Sequence, residues 1–470
     1  MTAPWLVESC TVEHRYSWKN MMRKTMGSML AGWMLPWSLS LGMLGNAAAQ
    51  PQAQALDPVE QRIAAEVKAW SPQALDLLKQ SVLINSGTMN LQGVRQVGHL
   101  FRSQFDALGF KTSWVEMPPA MGRAGHLLAT REGAPEGTPS RGKRLLLLGH
   151  LDTVFEPGSA VPMWEMKDGR IRGQGVSDMK GGDVIVIAAL RALHRAGVLD
   201  GAGIAVLFTG DEEEAGNPKT VSRGPMQELA RRSDLALSFE GSIIDKDGLA
   251  TATVGRRATA TWELQVTGRQ GHSMAVFGAN GYGAVYEAAR ILDAFRQQVA
   301  EPGLTFNPGL ILGGTEVSVD TANSRGTAFG KTNVIANSVA VKGDLRYLDY
   351  AQRDRAQARM RDIVGHSLPG AGASIAFQES YPPMAVTPGN LKLLELYSRA
   401  SQDAGLGRIG AVPAEARGAG DIQFVAPLLD SLDGLGASGN GAHSPNEDLD
   451  PASIERGAIR AALLIYRLTR

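Results

Sequence analysis

"RLLLLGHLDTV", residues 144–154, is the stretch on which the fold turns. Four successive leucines leave no polar face, which marks a strand covered on both sides, and the run passes directly into His150 and Asp152. Two further segments repeat the arrangement. "IAVLFTGDEEE" (204–214) ends in Asp211, Glu212, Glu213 and Glu214, and "LALSFE" (235–240) ends in Glu240. A helical stretch at 182–196 separates the first two. Apolar strands alternating with helices predict an α/β fold with a parallel, covered sheet. In such a sheet ligands sit beyond the carboxyl ends of the strands, so the three polar ends are expected to meet in one crevice.

Residues 256–384 have a different character. "TATWELQVTG" (259–268) alternates as a half-exposed strand does, a helix follows at about 281–298, and "LTFNPGLILGGT" and "NVIANSVAVKGDLRYLD" read as strands. A second helix over 351–367 and a strand at "SIAFQES" (374–380) complete the order β-α-β-β-α-β, that of a ferredoxin-like domain. It interrupts the first domain, whose parts are expected at 57–255 and 385–470.

With 470 residues, two domains are the natural expectation. Lys+Arg and Asp+Glu are 47 each, a balance that offers nothing to nucleic acid or to an anionic membrane. Small molecules and other subunits are the expected partners. Ahead of the first domain, Arg23 and Lys24 precede the apolar "MGSMLAGWMLPWSLSLGML" and the small-residue exit "NAAAQ". This is the layout of a signal peptide over residues 1–49 with Ala49 as the last residue removed, Met21 and Met22 being alternative starts. It implies a secreted or periplasmic protein with no membrane attachment after cleavage. The single cysteine, Cys10, lies within that leader, so the mature chain has no disulfides.

Four adjacent carboxylates repel one another, and burial raises their pKa values further. Taken alone, the run 211–214 reads as a solvated turn; a bound cation is the other reading. Two more segments bear on the choice. "IRGQGVSDMKGGD" (171–183) places Asp178 in a glycine-rich turn before a helix, and "GNGAHSPNEDLD" (439–450) presents His443 in a loop. Two histidines with several carboxylates suit zinc, and the set is large enough for one ion or for two sharing a carboxylate. No G-x-S-x-G elbow is present, since "GASIA", "GHSMA" and "GHSLP" all lack the last glycine, and no H-E-x-x-H helix exists.

The strings "GHLDTV", "GVSDMKGG", "TGDEEEAG", "LSFE" and "GAHS" resemble, in this order and over about residues 70–470, the motifs of the di-zinc aminoacylase/carboxypeptidase metallopeptidases, glutamate carboxypeptidase type. The resemblance implies a zinc-dependent exopeptidase catalytic domain with an inserted ferredoxin-like dimerisation domain, and a homodimer with two Zn2+ per subunit. It assigns His150 and Glu240 to one ion, Glu213 and His443 to the other, and Asp178 as the bridge. Glu212 becomes the general base, and Asp152 the partner that fixes the tautomer of His150. "GRQGHSM" resembles the motif whose histidine, here His272, reaches the partner subunit's site and steadies the oxyanion. "KTNVIAN", "GDLRY" and "ARGAGD" supply Asn333, Arg346 and Arg417 for a substrate carboxylate. The segments "VGRRATATW" and "AVFGANGYG" depart from the glutamate-specific pattern. The implied activity is hydrolysis of a C-terminal amide bond in a small molecule or short peptide. An N-acyl-amino-acid amidohydrolase is the alternative, and a non-catalytic binding protein on the same fold the second. The histidines at 14, 99, 126, 194 and 366 match no motif.

Overall fold

The computed structural model describes residues 54–135, 138, 142–320 and 325–470; the expected leader falls outside them. The central sheet has six strands, in the spatial order Lys111–Val115, His126–Arg131, Ile204–Thr209, Leu145–His150, Leu235–Ser238 and Ser431–Leu432. The last four are parallel to one another, with Leu145 opposite both Ile204 and Leu235. His126–Arg131 runs antiparallel both to Lys111–Val115 and to Ile204–Thr209, so the sheet is mixed rather than wholly parallel as expected. The reason is the short 116–125 link, which is below the length a parallel crossover requires.

Both faces of the leucine strand are covered. Leu145 and Leu147 pack into a core formed with the helices Pro58–Val82, Gly181–Arg195 and Ala452–Leu468. Leu146 and Leu148 face a second core containing Met226, Ala230, Ile422 and Val425. Alternate leucines therefore serve opposite layers, which is why the sequence shows no polar alternation there. Gly181–Arg195 lies between neighbouring helices and the sheet, and its residues from 181 to 190 are all buried. Its start is set by close packing. A Cβ added at Gly182 would come within 1.9 Å of the Phe239 carbonyl oxygen, so glycine lets the helix abut the strand end that carries Glu240.

The inserted domain has its own core, with Trp262, Leu264, Ile291, Phe295, Leu345 and Met360. Its four strands are antiparallel in the order Thr305–Gly314, Ser338–Tyr347, Ala258–Gly268 and Ala371–Tyr381, with the helices Gly283–Gln298 and Tyr350–Gly365. A backbone pair joins the two chain crossings: Arg256 N–H donates to Met384 O (2.9 Å) and Met384 N–H donates to Arg256 O (3.1 Å). One element escaped the sequence reading, a hairpin of Glu316–Asp320 with Arg325–Phe329. The second of these strands is exposed throughout and packs no face, so it carries no apolar alternation to read.

A small four-stranded sheet matters for the site. It sets Gly439–Asn440 beside Asp448–Leu449, then Arg170–Arg172 and Glu165–Lys167. Two loops far apart in sequence, 173–178 and 441–447, thereby become neighbours. Among the described residues, no helix is long and apolar enough to cross a membrane.

Candidate metal centre

Three parallel strands end side by side and deliver their polar residues to one crevice. His150 closes its strand, Glu212 and Glu213 follow Thr209, and Glu240 follows Ser238 shortly after its strand ends. Asp178 enters from the turn before Gly181–Arg195, where the Asp178–Met179 peptide is cis. His443 enters from its loop with φ at 62°, in the left-handed region. His150 Nε2 lies 3.3 Å from Asp178 Oδ1 and 3.5 Å from Glu240 Oε1. His443 Nε2 lies 3.1 Å from Asp178 Oδ2 and 3.0 Å from Glu213 Oε2. Two triads result, each with its ligand atoms within 4.8 Å of one another, and they share Asp178 through one oxygen apiece.

The donors fit divalent cations. Among the buried polar atoms, His150 Nε2 and Glu213 Oε1 have no hydrogen-bond partner, although both sit among other ligand atoms. Imidazole nitrogen with carboxylate oxygen is a set that suits zinc, and a bridging carboxylate suits a pair of ions. Charge leads to the same conclusion. Burial pushes Glu212 well above the usual carboxylate range, with Asp421, Glu240 and Glu213 adding to the effect against His150. Burial likewise raises Glu213 to about 7 despite its contact with His443. Hydrogen bonds to Asp178 and Glu213 lift His443 to about 11. Burial opposes the charged form of His150, yet Asp152, Asp178 and Glu240 together hold it well above its ordinary value. Carboxylates crowded in this way draw a positive charge from any source; bound cations would supply it and keep the ligands ionised.

Asp152 lies against His150 as expected, and its contacts extend further. His150 Nδ1 lies 3.0 Å from the backbone carbonyl of Asp152 and 3.5 Å from its carboxylate. The carbonyl is thus the nearer acceptor for an Nδ1–H, which would leave Nε2 free to face the triad. The Asp152 carboxylate is engaged elsewhere. It accepts from the Glu212 N–H (3.0 Å), the Glu213 N–H (3.1 Å) and Thr88 Oγ1 (2.6 Å), so it holds the turn that presents both glutamates.

Below that turn, Asp211 is fully buried. It accepts from Arg223 Nη1 (2.5 Å), Ser222 Oγ (2.6 Å) and the Gly216 N–H (2.8 Å). Arg223 also lies 2.7 Å from Asp421, which in turn accepts from Thr209 Oγ1 (2.6 Å). Buried His126, for which the sequence offered no role, closes the network with Nε2 on Ser222 O (2.9 Å). Glu214 is exposed and pairs with Arg123 at 2.8 Å. Asp421 and Glu447 both occur inside motifs quoted above, but nothing in a one-dimensional string separates a buried supporting acid from a solvated one.

The crevice has a volume of about 310 Å³ and is lined by Asp178, Glu212, Glu213, Glu240, Arg417 and His443, with Arg256 on the same wall. Arg417 Nη1 donates to Gly241 O (3.1 Å), while its buried Nε has no hydrogen-bond partner. Arg256 is paired with Asp433 and donates to the carbonyls of Gly418 (2.8 Å) and Ala419 (3.1 Å), bracing the loop that carries Arg417. Arg346, Asn333 and His272 do not line this crevice. Arg346 pairs with Asp344 at 3.0 Å. His272 and Asn333 are exposed on the inserted domain and adjacent, since the Ser273 N–H donates to Asn333 O (2.9 Å).

Comparison with known proteins gives a consistent result. The profile of peptidase family M20/M25/M40 matches residues 146–467. Carboxypeptidase G2 of Pseudomonas sp. (strain RS-16) is 27% identical over 84% of this chain and 89% of its own length. A succinyl-diaminopimelate desuccinylase of Acidiphilium cryptum is 30% identical over 65% of this chain and 74% of its own. Among solved structures, aminopeptidase PepT of Bacillus cereus superposes with a TM-score of 0.66 at 17% identity, covering 85% of this chain and 99% of PepT. The Bacillus subtilis YXEP protein, a dinuclear metal binding peptidase of the M20 family, does so at 0.58 and 13%, covering 86% and 99%. The two structures share the fold with this chain.

The acid turn rests on Asp211. Burial pushes its carboxyl up, but Arg223 foremost, with hydrogen bonds from Ser222 and Gly216, holds it below the usual range. A depressed folded pKa contributes stability above the unfolded value of about 3.9 and loses it as pH falls through the folded one. Asp211→Asn is therefore expected to cost about 3 kcal/mol at pH 7, the low end for a broken buried pair because Arg223 keeps Asp421. Urea unfolding of both proteins should show this gap closing below about pH 4.

Proposed function

The chain belongs to peptidase family M20/M25/M40, and from that membership we propose that it is a two-zinc exopeptidase that cleaves a C-terminal amide bond beside a free carboxylate, in the manner of a glutamate carboxypeptidase. Membership makes it a metallopeptidase or amidohydrolase; the substrate and the identity of the metal are the proposal. The observation that carries it is the pair of triads sharing Asp178, with Glu212 on the wall of the same crevice.

His150, Asp178 and Glu240 would hold one ion, and Asp178, Glu213 and His443 the other. Zinc bound there supplies Lewis acidity, lowering the pKa of water from about 15.7 toward about 7 and polarising the scissile carbonyl. The chain's own groups do the rest. Glu212 is raised in pKa by burial and by neighbouring acids, which suits it to take a proton from water and to pass it to the leaving nitrogen. Asp152 fixes where Glu212 stands, through the backbone N–H of that residue. Arg417, whose buried Nε has no hydrogen-bond partner, offers its guanidinium to a substrate carboxylate, with Arg256 bracing its loop. His272, from a second copy of the chain, stabilises the oxyanion; its exposure on the inserted domain beside Asn333 supports a role in trans.

An N-acyl-amino-acid amidohydrolase uses the same groups, and the desuccinylase relative at 30% identity favours that second reading. The two differ in which half of the substrate is recognised.

Glu212→Gln should lower kcat by roughly 10²–10⁴-fold while metal analysis still finds two zinc ions per subunit; wild-type turnover would remove the base assignment. Arg417→Ala should lower kcat/KM by roughly 10–100-fold for acyl-glutamates and acyl-amino acids, the worth of a hydrogen bond to a charged group. Substrates whose carboxylate is replaced by an amide should show no such loss. Finally, Glu212→Gln and His272→Ala homodimers should each be inactive and regain activity when mixed under conditions of subunit exchange. Failure to complement would place His272 outside the partner's site.

A further inference from the structure

The two ligand-bearing loops 173–178 and 441–447 meet at one side chain that the mechanism above does not use. Glu447 is 1% exposed. Its Oε1 accepts from the Ser177 N–H (2.9 Å), Ser177 Oγ (3.1 Å) and the Asp178 N–H (3.1 Å), and its Oε2 accepts from the Gly175 N–H (3.2 Å). The main chain of Glu447 adds two bonds. Its N–H donates to Ser444 O (3.1 Å), inside the His443 loop, and its carbonyl accepts from the Gly173 N–H (3.4 Å).

We infer that Glu447 is the positioning residue that sets the bridging carboxylate and His443 relative to each other, and that the Asp178–Glu213–His443 site depends on it more than the His150–Asp178–Glu240 site does. The inference rests on the two-metal reading. Its logic is a count of anchors. His150 and Glu240 stand at or just beyond the ends of adjacent, hydrogen-bonded strands of the central sheet, to which Glu447 makes no hydrogen bond among the described residues. Asp178 has its backbone N–H on Glu447, and His443 lies four residues before Glu447 in the same loop. One of three ligands in the first triad hangs from Glu447, against two of three in the second.

The small sheet alone does not do this work. Pairing of Asp448 with Arg172 and of Asn440 with Asp448 secures the ends of the two loops. Between those ends, among the described residues, no other side chain is hydrogen-bonded to the backbone N–H groups of Gly175, Ser177 and Asp178. The residue type follows from the donors. All four groups facing the side chain are N–H or O–H, and a carboxylate can accept from all of them, whereas an amide would turn its NH2 toward one.

The test uses the full-length protein stripped of metal and titrated with Zn2+ against a chromophoric chelator, in wild type, Glu447→Ala and Glu447→Gln. Expected is a loss of roughly 10–100-fold in affinity for one of the two zinc ions, the usual effect of removing a group that orients a ligand, with the other ion near wild type. Co2+ substitution should show the same asymmetry, with the absorption of the second equivalent altered and that of the first retained. A purely structural role would lower the melting temperature and leave the two affinities as they were. Unchanged affinities, or equal weakening of both ions, would overturn the inference. If Glu447→Ala does not fold, Glu447→Gln, which keeps one acceptor oxygen, is judged by the same criterion. Wild-type protein that binds no second zinc would instead refute the two-metal reading, a result obtained before any variant is made.

Discussion

Like charge in a confined space is the constraint from which the rest follows. Asp178, Glu213 and Glu240 converge on two imidazoles, with Glu212 beside them, and buried carboxylates at these distances resist being ionised together. Bound cations would resolve the conflict, and the fold holds the acids in place where such ions would sit. Three strands of one sheet fix His150, Glu240 and the 211–214 turn within hydrogen-bonding register, so the backbone ladder itself sets much of the spacing. Placing the ligands on covered strands gives a rigidity that loops alone would not provide.

The four acids of the 211–214 run illustrate how burial assigns roles. Asp211 is turned inward and neutralised by Arg223, so it supports the turn. Glu212 and Glu213 line the crevice, held at their amides by Asp152. Glu214 faces solvent and meets Arg123. Nothing in their side-chain chemistry separates the three glutamates; their different uses come from which way the turn points each one.

A comparable economy runs through the supporting shell. Asp152 holds Glu212 and Glu213 through their amides, Glu447 holds Asp178 through its amide, and Arg256 holds the loop of Arg417 through carbonyls. In each case a buried charged side chain acts on main-chain groups, which any residue other than proline retains. The inserted domain follows a different rule. It folds around its own core and leaves His272 and Asn333 exposed, with no place in the crevice of their own chain.

Much of this was legible in the string of residues because the relevant signals are local. An apolar run that ends in His-x-Asp, in acids or in Glu240 announces a strand and what it delivers, and the alternation over 259–268 announces a half-exposed one. The residues that meet in the crevice and the inserted βαββαβ unit could be read in this way, the former with the help of a motif order that resembles a known family. What only the tertiary structure decided are contacts across long separations. Glu447 and Ser177 are 270 residues apart, Thr209 and Asp421 are 212, and no periodicity encodes such a pairing. Some local features were equally hidden: the antiparallel edge of the sheet, the exposed hairpin, the carbonyl nearest His150 and the pairing of Arg346 with Asp344 depend on how each segment is packed rather than on the residues beside it. Sequence determined which groups arrive at the crevice; packing determined which of them face it and which hold the others still, because burial and hydrogen-bond partners exist only once distant segments have met.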